Sequence, residues 1–161
     1  MRIVGIDPGT NRIGYALLRG TRAEVELLAA ETITIASGTE RTKRLTIIAG
    51  SIAERLQRDR PDIVAIEELF FAKNVKTALS VAEARGVILL TAADGIRSIW
   101  EYTPLEVKSA VAGYGKADKA QILRMVKLAL PKTVMPFGDD AVDAIAIALT
   151  AFYRGAPADT T

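Results

Sequence analysis

The sequence predicts a single α/β domain in which helices flank a mixed β-sheet. Three strand-like stretches come first in the chain, and helical and strand-like stretches alternate after them. Consecutive strands followed by alternating helices and strands are typical of a sheet with both antiparallel and parallel pairs. With 161 residues, 50% of them hydrophobic, the chain is long enough to form one domain with a buried core.

The first three strands are predicted from β-branched residues and from the turns between them. Residues 2–6 form the first strand, which ends at the turn signal DPG at 7–9. Residues 13–18 follow closely enough to complete a hairpin. Residues 25–35 form the third strand and end in an alternating run of threonine and isoleucine.

Helices and strands alternate along the rest of the chain. After a break at 37–39 that contains a candidate helix cap, apolar residues recur at helical spacing: Leu45, Ile48, Ile52 and Leu56. Pro61 ends this helix, and residues 63–66 form a fourth strand whose two apolar faces are typical of the interior of a sheet. The later elements are a helix from Asn74 to about Ala93 closed by Gly95, a strand at 98–102, a short helix at 105–111, a helix opened by the capping box of Asp118 and Gln121 and ended by Pro131, and a last helix from 138–140 to about Tyr153. Residues 154–161 are expected to be a flexible tail, so the domain spans residues 1–153.

The composition excludes several classes of protein and of chemistry. The chain has no cysteine and no histidine, which excludes disulfides, thiol chemistry, the Ser-His triad and zinc sites built on either residue. A metal ion must therefore bind oxygen ligands, which points to Mg²⁺ or Mn²⁺. No run approaches the ~18 apolar residues of a membrane span and the N-terminus does not resemble a signal peptide, so a soluble cytoplasmic protein is expected.

The charged residues are unevenly distributed, although the net charge is only +2. Six bases and two acids lie between Pro104 and Lys132, whereas three acids and no base lie between Thr133 and Tyr153. A basic stretch beside an acidic one is expected where a protein binds an anionic polymer next to a metal site. An ordinary surface with uneven charge would have the same pattern.

Three acidic residues lie where an isolated carboxylate is costly. Asp7 and Glu67 each follow an apolar strand, and Asp143 lies in a helical segment that is apolar on all sides. Asp140 and Asp143 are three residues apart and point from one helix face, as Asp139 could. Because strand-end and helix-face acids can converge at one edge of a sheet, the pattern predicts a divalent-metal site. Two ions about 3.5–4 Å apart could clamp the attacking and leaving oxygens of a phosphodiester, with a metal-activated water replacing a histidine base.

Each acid also has a purely structural explanation. Asp7 could organise the following turn, Glu67 could be a surface acid, Asp139 could cap the last helix, and Asp140 could offset the helix dipole. This explanation is weakest for Asp143, because a mid-helix acid among apolar residues needs a partner. The neighbouring Glu68 is predicted to point to the opposite face of the strand from Glu67.

Two further segments could contact nucleic acid. Residues 113–116 resemble a phosphate loop without the Walker spacing, so Lys116, with Lys119 behind it, could bind a backbone, or the segment could be a flexible connector. Phe70 and Phe71 follow the fourth strand. One of them could stack on bases or wedge between them, or both could serve the core.

Five short motifs resemble those of the RuvC family, the bacterial crossover-junction (Holliday junction) endonucleases. In chain order they are GIDPGT at 5–10, AIEE at 65–68, FFAKN at 70–74, ARG at 84–86 and DAVDA at 140–144. The motifs occur in the family's order and cover nearly the whole chain, whereas GIDPG alone would be a weak signal.

The resemblance implies a ribonuclease H-like fold, with a five-stranded mixed sheet and helices on both faces. It implies a homodimer that nicks two opposing strands of a four-way DNA junction in recombination and repair, with Mg²⁺ or Mn²⁺. With the two-ion mechanism predicted from the acids, we expect two ions per subunit. The residues that match the family's four acids are Asp7, Glu67, Asp140 and Asp143, and those that match its junction contacts are Phe70, Lys108 and Lys119. Some relatives carry histidine where this chain has Asp140. The resemblance also implies the RuvA–RuvB branch-migration complex as a partner.

The approximate two-fold symmetry of a four-way junction suits an isologous dimer. The candidate interface is the helix from Asn74 to Ala93, which carries small and apolar residues along one side: Ala78, Ala82, Gly86 and Leu89 or Leu90.

Three other functions compete with junction cleavage. An actin-like or sugar-kinase ATPase shares the DxGT pattern at 7–10, but it needs two domains and a second phosphate loop. A junction-binding protein without activity would lack one of the matched acids. A nuclease of the same fold that acts on RNA or linear DNA stays open.

Overall fold

The computed structural model describes residues 1–69, 75–95, 98–133 and 138–157. In this part of the chain, five strands form one mixed sheet and five helices pack against it. In chain order the elements are β1 (Arg2–Asp7), β2 (Arg12–Gly20), β3 (Val25–Thr34), α1 (Arg41–Asp59), β4 (Ile63–Glu67), α2 (Val75–Ala93), β5 (Ser98–Tyr102), α3 (Pro104–Ala112), α4 (Lys119–Ala129) and α5 (Asp139–Arg154). The predicted α/β class and the five-stranded mixed sheet are confirmed.

The strand order across the sheet is β3-β2-β1-β4-β5. The first three strands form an antiparallel meander, whereas β4 is parallel to both of its neighbours, β1 and β5. Strand β4 is therefore an interior strand, as its uniformly apolar sequence predicts. Because β1 and β4 are parallel and adjacent, their carboxyl ends lie at the same edge of the sheet.

The two faces of the sheet are covered by different helices. Side chains alternate along β1, so Ile3 packs into the core under α3, α4 and α5, while Val4 and Ile6 pack into the core under α1 and α2. Helix α5 is buried along nearly its whole length, which explains why its sequence is apolar on most sides. None of the described helices is both long and apolar enough to cross a membrane.

Two helix caps differ from the sequence predictions. Helix α1 is capped by Glu40, whose carboxylate accepts hydrogen bonds from the backbone N–H groups of Thr42 and Lys43, and not by a residue of 37–39. The cap of α5 is Gly138, so Asp139 is the first residue of that helix and is not its N-cap. The capping box at Asp118 is confirmed.

Some predicted boundaries remain untested or shift slightly. The predicted opening of α2 at Asn74 lies outside the described residues. Helix α5 continues through Arg154, and residues 158–161 also lie outside the described part. The division into a domain at 1–153 and a tail at 154–161 stays a prediction.

Candidate active site

Asp7 and Glu67 lie side by side at the carboxyl ends of β1 and β4. The parallel register pairs Ile6 with Ile66, and each acid is the next residue along its strand. Asp7 is two residues beyond Gly5, and Glu67 is two residues beyond Ala65, which belongs to the core under α5. Because residues two apart share a face of a strand, both carboxylates point toward the α5 face of the sheet.

Two glycines allow α5 to lie directly on β1 and β2. A Cβ atom on Gly5 would stand 2.1 Å from the carbonyl oxygen of Ala144, and one on Gly14 would stand 1.9 Å from that of Asp140. Both distances are far too short for nonbonded atoms, so any larger residue would push the helix away. This close approach brings the first two turns of α5, with Asp140 and Asp143, to the sheet edge that carries Asp7.

Three of the four predicted acids line one cavity of about 390 Å³: Asp7, Glu67 and Asp143. The side chain of Asp143 is 38% exposed, because it faces this opening and not the apolar interior that its flanking residues occupy. Asp143 is therefore a half-exposed acid in an otherwise apolar segment, and it lines the same cavity as the strand-end acids. Glu68 is not among the residues that line the cavity.

The clustered acids resist ionisation. Burial raises the pKa of Asp7 to about 7, and the negative charges of Asp143 and Asp140 add to the effect. Burial also raises the pKa of Glu67 to about 7, with Asp7 and Asp143 contributing. Burial raises the pKa of Asp143 as well, against the opposing charge of Lys119. These carboxylates repel one another, so a bound cation would stabilise their charged forms.

Two of the predicted DNA-binding lysines lie at this cavity. Lys119, the first residue of α4, places its Nζ 3.5 Å from Oδ2 of Asp139 and 3.6 Å from Oδ2 of Asp143. Lys108 on α3 also lines the cavity, and its charge partly offsets the raised pKa of Glu67.

The other predicted DNA contacts are not placed at the cavity. Lys116 is exposed and is not among the cavity residues, so its role stays a prediction. Phe70 and Phe71 lie outside the described residues.

Asp140 is not among the residues that line the cavity, and its carboxylate pairs with Arg12. The Nε and Nη2 atoms of Arg12 lie 2.8 Å and 2.6 Å from the same oxygen, Oδ2 of Asp140. Sequence reasoning did not identify Arg12. The only local signal is a base just after the turn at 7–9, and nothing in the sequence links it to an acid 128 residues away.

A second arginine supports the backbone at Glu67. The Nε atom of Arg85, on α2, donates a hydrogen bond of 3.1 Å to the carbonyl oxygen of Glu67, and its guanidinium also pairs with Glu101 on β5. This largely buried side chain joins α2 to the end of β4. Its place in the ARG motif at 84–86 marks it in the sequence, but its contact does not follow from the motif.

The acids have the chemistry that a hard divalent cation requires, since every side-chain donor is a carboxylate oxygen. Within the described ranges, no three acidic side chains stand close enough together to hold one ion. Asp140 and Asp143 are instead engaged by Arg12 and Lys119. The four carboxylates therefore fit Mg²⁺ or Mn²⁺. A metal ion would have to compete with Arg12 for Asp140 and with Lys119 for Asp143.

Comparisons with known proteins find relatives that match nearly the whole chain. The family model described as crossover junction endodeoxyribonuclease RuvC matches residues 3–151. A protein of that name from Moorella thermoacetica is 47% identical over 149 residues, which span 92% of this chain and 89% of the relative. Another from Roseiflexus sp. is 43% identical over 152 residues, 94% of this chain and 90% of the relative. The structure of T. thermophilus RuvC in complex with Holliday junction substrate has a TM-score of 0.88 at 33% identity, and covers 95% of this chain and 93% of that one.

Proposed function

The chain belongs to the RuvC family of crossover junction endodeoxyribonucleases, and on this premise we propose that it resolves four-way DNA junctions by metal-dependent nicking of two opposing strands. The observation that carries the proposal is the convergence of Asp7, Glu67 and Asp143 on one cavity with Lys108 and Lys119 at its rim. In this arrangement the acids can bind metal ions at the phosphodiester that is cleaved, while the lysines bind the neighbouring phosphates of the same strand. Family membership over most of the chain favours this activity over an actin-like ATPase.

Asp7, Glu67, Asp140 and Asp143 would hold the metal ions. Mg²⁺ or Mn²⁺, two per subunit, would supply Lewis acidity at the phosphate and a lowered pKa for the attacking water. The protein contributes the rigid placement of the acids, through the paired ends of β1 and β4 and the close contact of α5 with the sheet. Arg85 contributes by fixing the backbone at Glu67.

Lys108 and Lys119 would bind phosphate groups on the α3 and α4 side of the cavity. Lys119 is exposed, and its ammonium pairs with Asp139 and Asp143. When DNA and metal ions bind, the metal ions would pair with the carboxylates, and the DNA phosphates would pair with Lys119. Phe70 and Lys116 remain candidate junction contacts from the sequence.

The protein would act as a homodimer through α2. The exposed side of this helix carries Leu79 and Leu90, which are 64% and 75% exposed, with Gly86 between them. The sequence leaves Leu89 and Leu90 as alternatives for this surface; Leu89 packs against the α1 and α2 core, and Leu90 is the exposed one. A partnership with the RuvA–RuvB complex stays a prediction from the family resemblance.

A nicking assay tests the proposed function. A synthetic four-way junction and a linear duplex of the same sequence are incubated with the protein in Mg²⁺, Mn²⁺ or EDTA, with Asp7→Asn as control. We expect paired, metal-dependent nicks on the junction alone. Cleavage of linear DNA or RNA would instead indicate a related nuclease with another substrate. Tight junction binding without cleavage would indicate a binding protein.

A further inference from the structure

Arg12 lies at the same edge of the sheet as the acids, but outside the cavity that they line. The antiparallel register of β1 and β2 pairs Asp7 with Gly14, so Arg12 stands just beyond the end of β1. Its side chain is 57% exposed although it contacts a candidate metal ligand.

Toward the residues that the structure describes, the guanidinium of Arg12 uses only part of its hydrogen-bonding capacity. Both of its contacts to Asp140 fall on one oxygen, Oδ2, through Nε and Nη2. An arginine side chain carries five N–H donors in a planar fork, so about three of them have no partner among the described residues. A planar array of free donors is the geometry that binds phosphate oxygens best.

Arg12 and Lys119 approach α5 from different sides. Asp139 and Asp143 are four residues apart, share a helix face and contact Lys119 on α4. Asp140 lies about 100° further round the helix than Asp139 and contacts Arg12 on β2. The acids therefore have a cationic side chain on each flank, with the lysines on the α3 and α4 side and Arg12 on the β2 side.

We propose that Arg12 binds a phosphate group of the DNA backbone on the β2 side of the cleaved bond while it holds Asp140. This inference rests on the proposed function, because a strand that is cut at the acids must continue past both flanks of the site. The lysines would bind the phosphates on one side of the cleaved bond, and Arg12 would bind a phosphate on the other side. Arg12 is thus both a DNA contact and a positioning residue for Asp140.

A purely stabilising role explains Arg12 poorly. Exposed ion pairs contribute between 0 and about 1 kcal/mol to folding. Arg19 provides a matched comparison on the same strand: its side chain is also 57% exposed, and its Nη2 lies 2.7 Å from Glu26. Arg19 is near the opposite end of β2 from the acids, and its partner Glu26 is 61% exposed whereas Asp140 is 24% exposed.

Salt-dependent DNA binding tests the proposal. Binding of a labelled four-way junction and of a linear duplex is measured by fluorescence anisotropy in EDTA, between about 50 and 200 mM salt. The proteins are wild type, Arg12→Gln, Arg12→Lys and Arg19→Gln. For Arg12→Gln we expect weaker binding and a slope of log K against log salt that is smaller by about one unit. Arg12→Lys, which keeps the charge, should restore the slope, and Arg19→Gln should match wild type.

A slope for Arg12→Gln equal to that of Arg19→Gln would overturn the proposal. Calorimetric titration with Mn²⁺ then identifies what Arg12 does instead, since tighter Mn²⁺ binding with an unchanged slope means that Arg12 only competes for Asp140. A wild-type protein that prefers the junction leaves the proposed function intact in either case. A wild type without that preference would overturn the proposed function, and the slopes on duplex DNA would still decide the role of Arg12.

Discussion

The backbone of Gly14 lies directly against the backbone of Asp140, with no side chain between them. A Cβ atom at position 14 would stand 1.9 Å from the carbonyl oxygen of Asp140 and 3.1 Å from the Cβ of Ala144. The start of α5 is therefore in direct contact with β2. The positions of Asp140 and Asp143 depend on residue 14 being a glycine, which has no Cβ atom.

Gly14→Ala should destabilise the protein by about 3 kcal/mol or prevent folding, because a backbone oxygen cannot move aside as a flexible side chain can. Thermal or urea unfolding followed by circular dichroism measures this. Gly50→Ala on α1 is the matched control, since nothing lies within 4 Å of its Cβ position. That variant should be stabilised by up to about 1 kcal/mol, as expected for alanine in a helix. Equal effects of the two substitutions would contradict the close-contact explanation.

Asp7→Asn should abolish cleavage, raise stability and preserve junction binding. The pKa of Asp7 is raised to about 7, so its ionisation costs stability as the pH rises through that value. In EDTA near pH 8, we expect the variant to gain on the order of 1 kcal/mol in free energy of unfolding. Cleavage should fall by about 1,000-fold or more, because an amide replaces one of the four carboxylates proposed to bind the metal ions.

The neighbouring pair Glu67 and Glu68 provides a control for this site. Glu67→Gln should lose cleavage as Asp7→Asn does, whereas Glu68→Gln should cut at the wild-type rate, because only Glu67 lines the cavity. Cleavage by Glu67→Gln at the wild-type rate would remove Glu67 from the site.

Lys119→Gln should weaken junction binding and reduce the salt slope by about one unit, because one phosphate contact is lost. Lys43→Gln is the control, since Lys43 is an exposed lysine of α1, which covers the opposite face of the sheet. Anisotropy titrations at several salt concentrations measure both variants. Identical slopes for the two would exclude Lys119 from the DNA footprint.

Protonation of Asp59 should lower the stability of the protein in acid. Its buried carboxylate accepts hydrogen bonds from the hydroxyl of Tyr15, at 2.8 Å, and from Nε and Nη2 of Arg58, at 2.7 and 2.8 Å. Burial alone raises the pKa of Asp59, but these hydrogen bonds outweigh it and hold the pKa below its ordinary value of 3.8. The resulting stabilisation is complete above that ordinary value and is lost as the pH falls through the lower, folded-state pKa.

Asp59→Asn should therefore cost about 2 kcal/mol at neutral pH and flatten the loss of stability below about pH 4. Urea unfolding at several pH values measures both effects. Asp62→Asn is the control, because Asp62 also accepts a hydrogen bond, from the N–H of Arg2, but is exposed. An unchanged acid dependence in Asp59→Asn would show that other groups control it.

Leu90→Glu should convert a dimer to a monomer at micromolar concentration, because a charge would be buried at the proposed α2 interface. Leu128→Glu is the control, since Leu128 on α4 is 63% exposed and lies away from α2. Light scattering measures both variants. A wild type that is monomeric, or a dimer that persists in Leu90→Glu, would contradict the assignment.

Features that depend on neighbouring residues can be predicted from the sequence. The fifth strand is observed at Ser98–Tyr102, as predicted, and Asp118 and Gln121 form the expected capping box. The N-cap of α1 is harder to predict, because several neighbouring polar residues could each cap the helix. The hydroxyl of Thr39 bonds to the carbonyl oxygen of Ala36, and Glu40 caps the helix.

Contacts between distant parts of the chain cannot be read from local patterns. The meeting of Asp7 with Glu67 can be anticipated, because parallel strands place their ends together. Two other contacts depend on how the helices pack against the sheet. The packing of α5 brings Asp140 to Arg12, and the packing of α2 brings Arg85 to the backbone of Glu67. The sequence pattern identifies the candidate acids, but it does not show that two of them are engaged by cations of the same protein.

The burial of α5 also has a consequence for biosynthesis. Asp7 and Glu67 leave the ribosome long before the residues of α5, which must cover the sheet to bring Asp140 and Asp143 to the same edge. A nascent or truncated chain without α5 carries half of the acids and exposes the core that the helix would bury. Such a chain cannot assemble the four candidate acids, so we expect it to have no cleavage activity before α5 packs on the sheet.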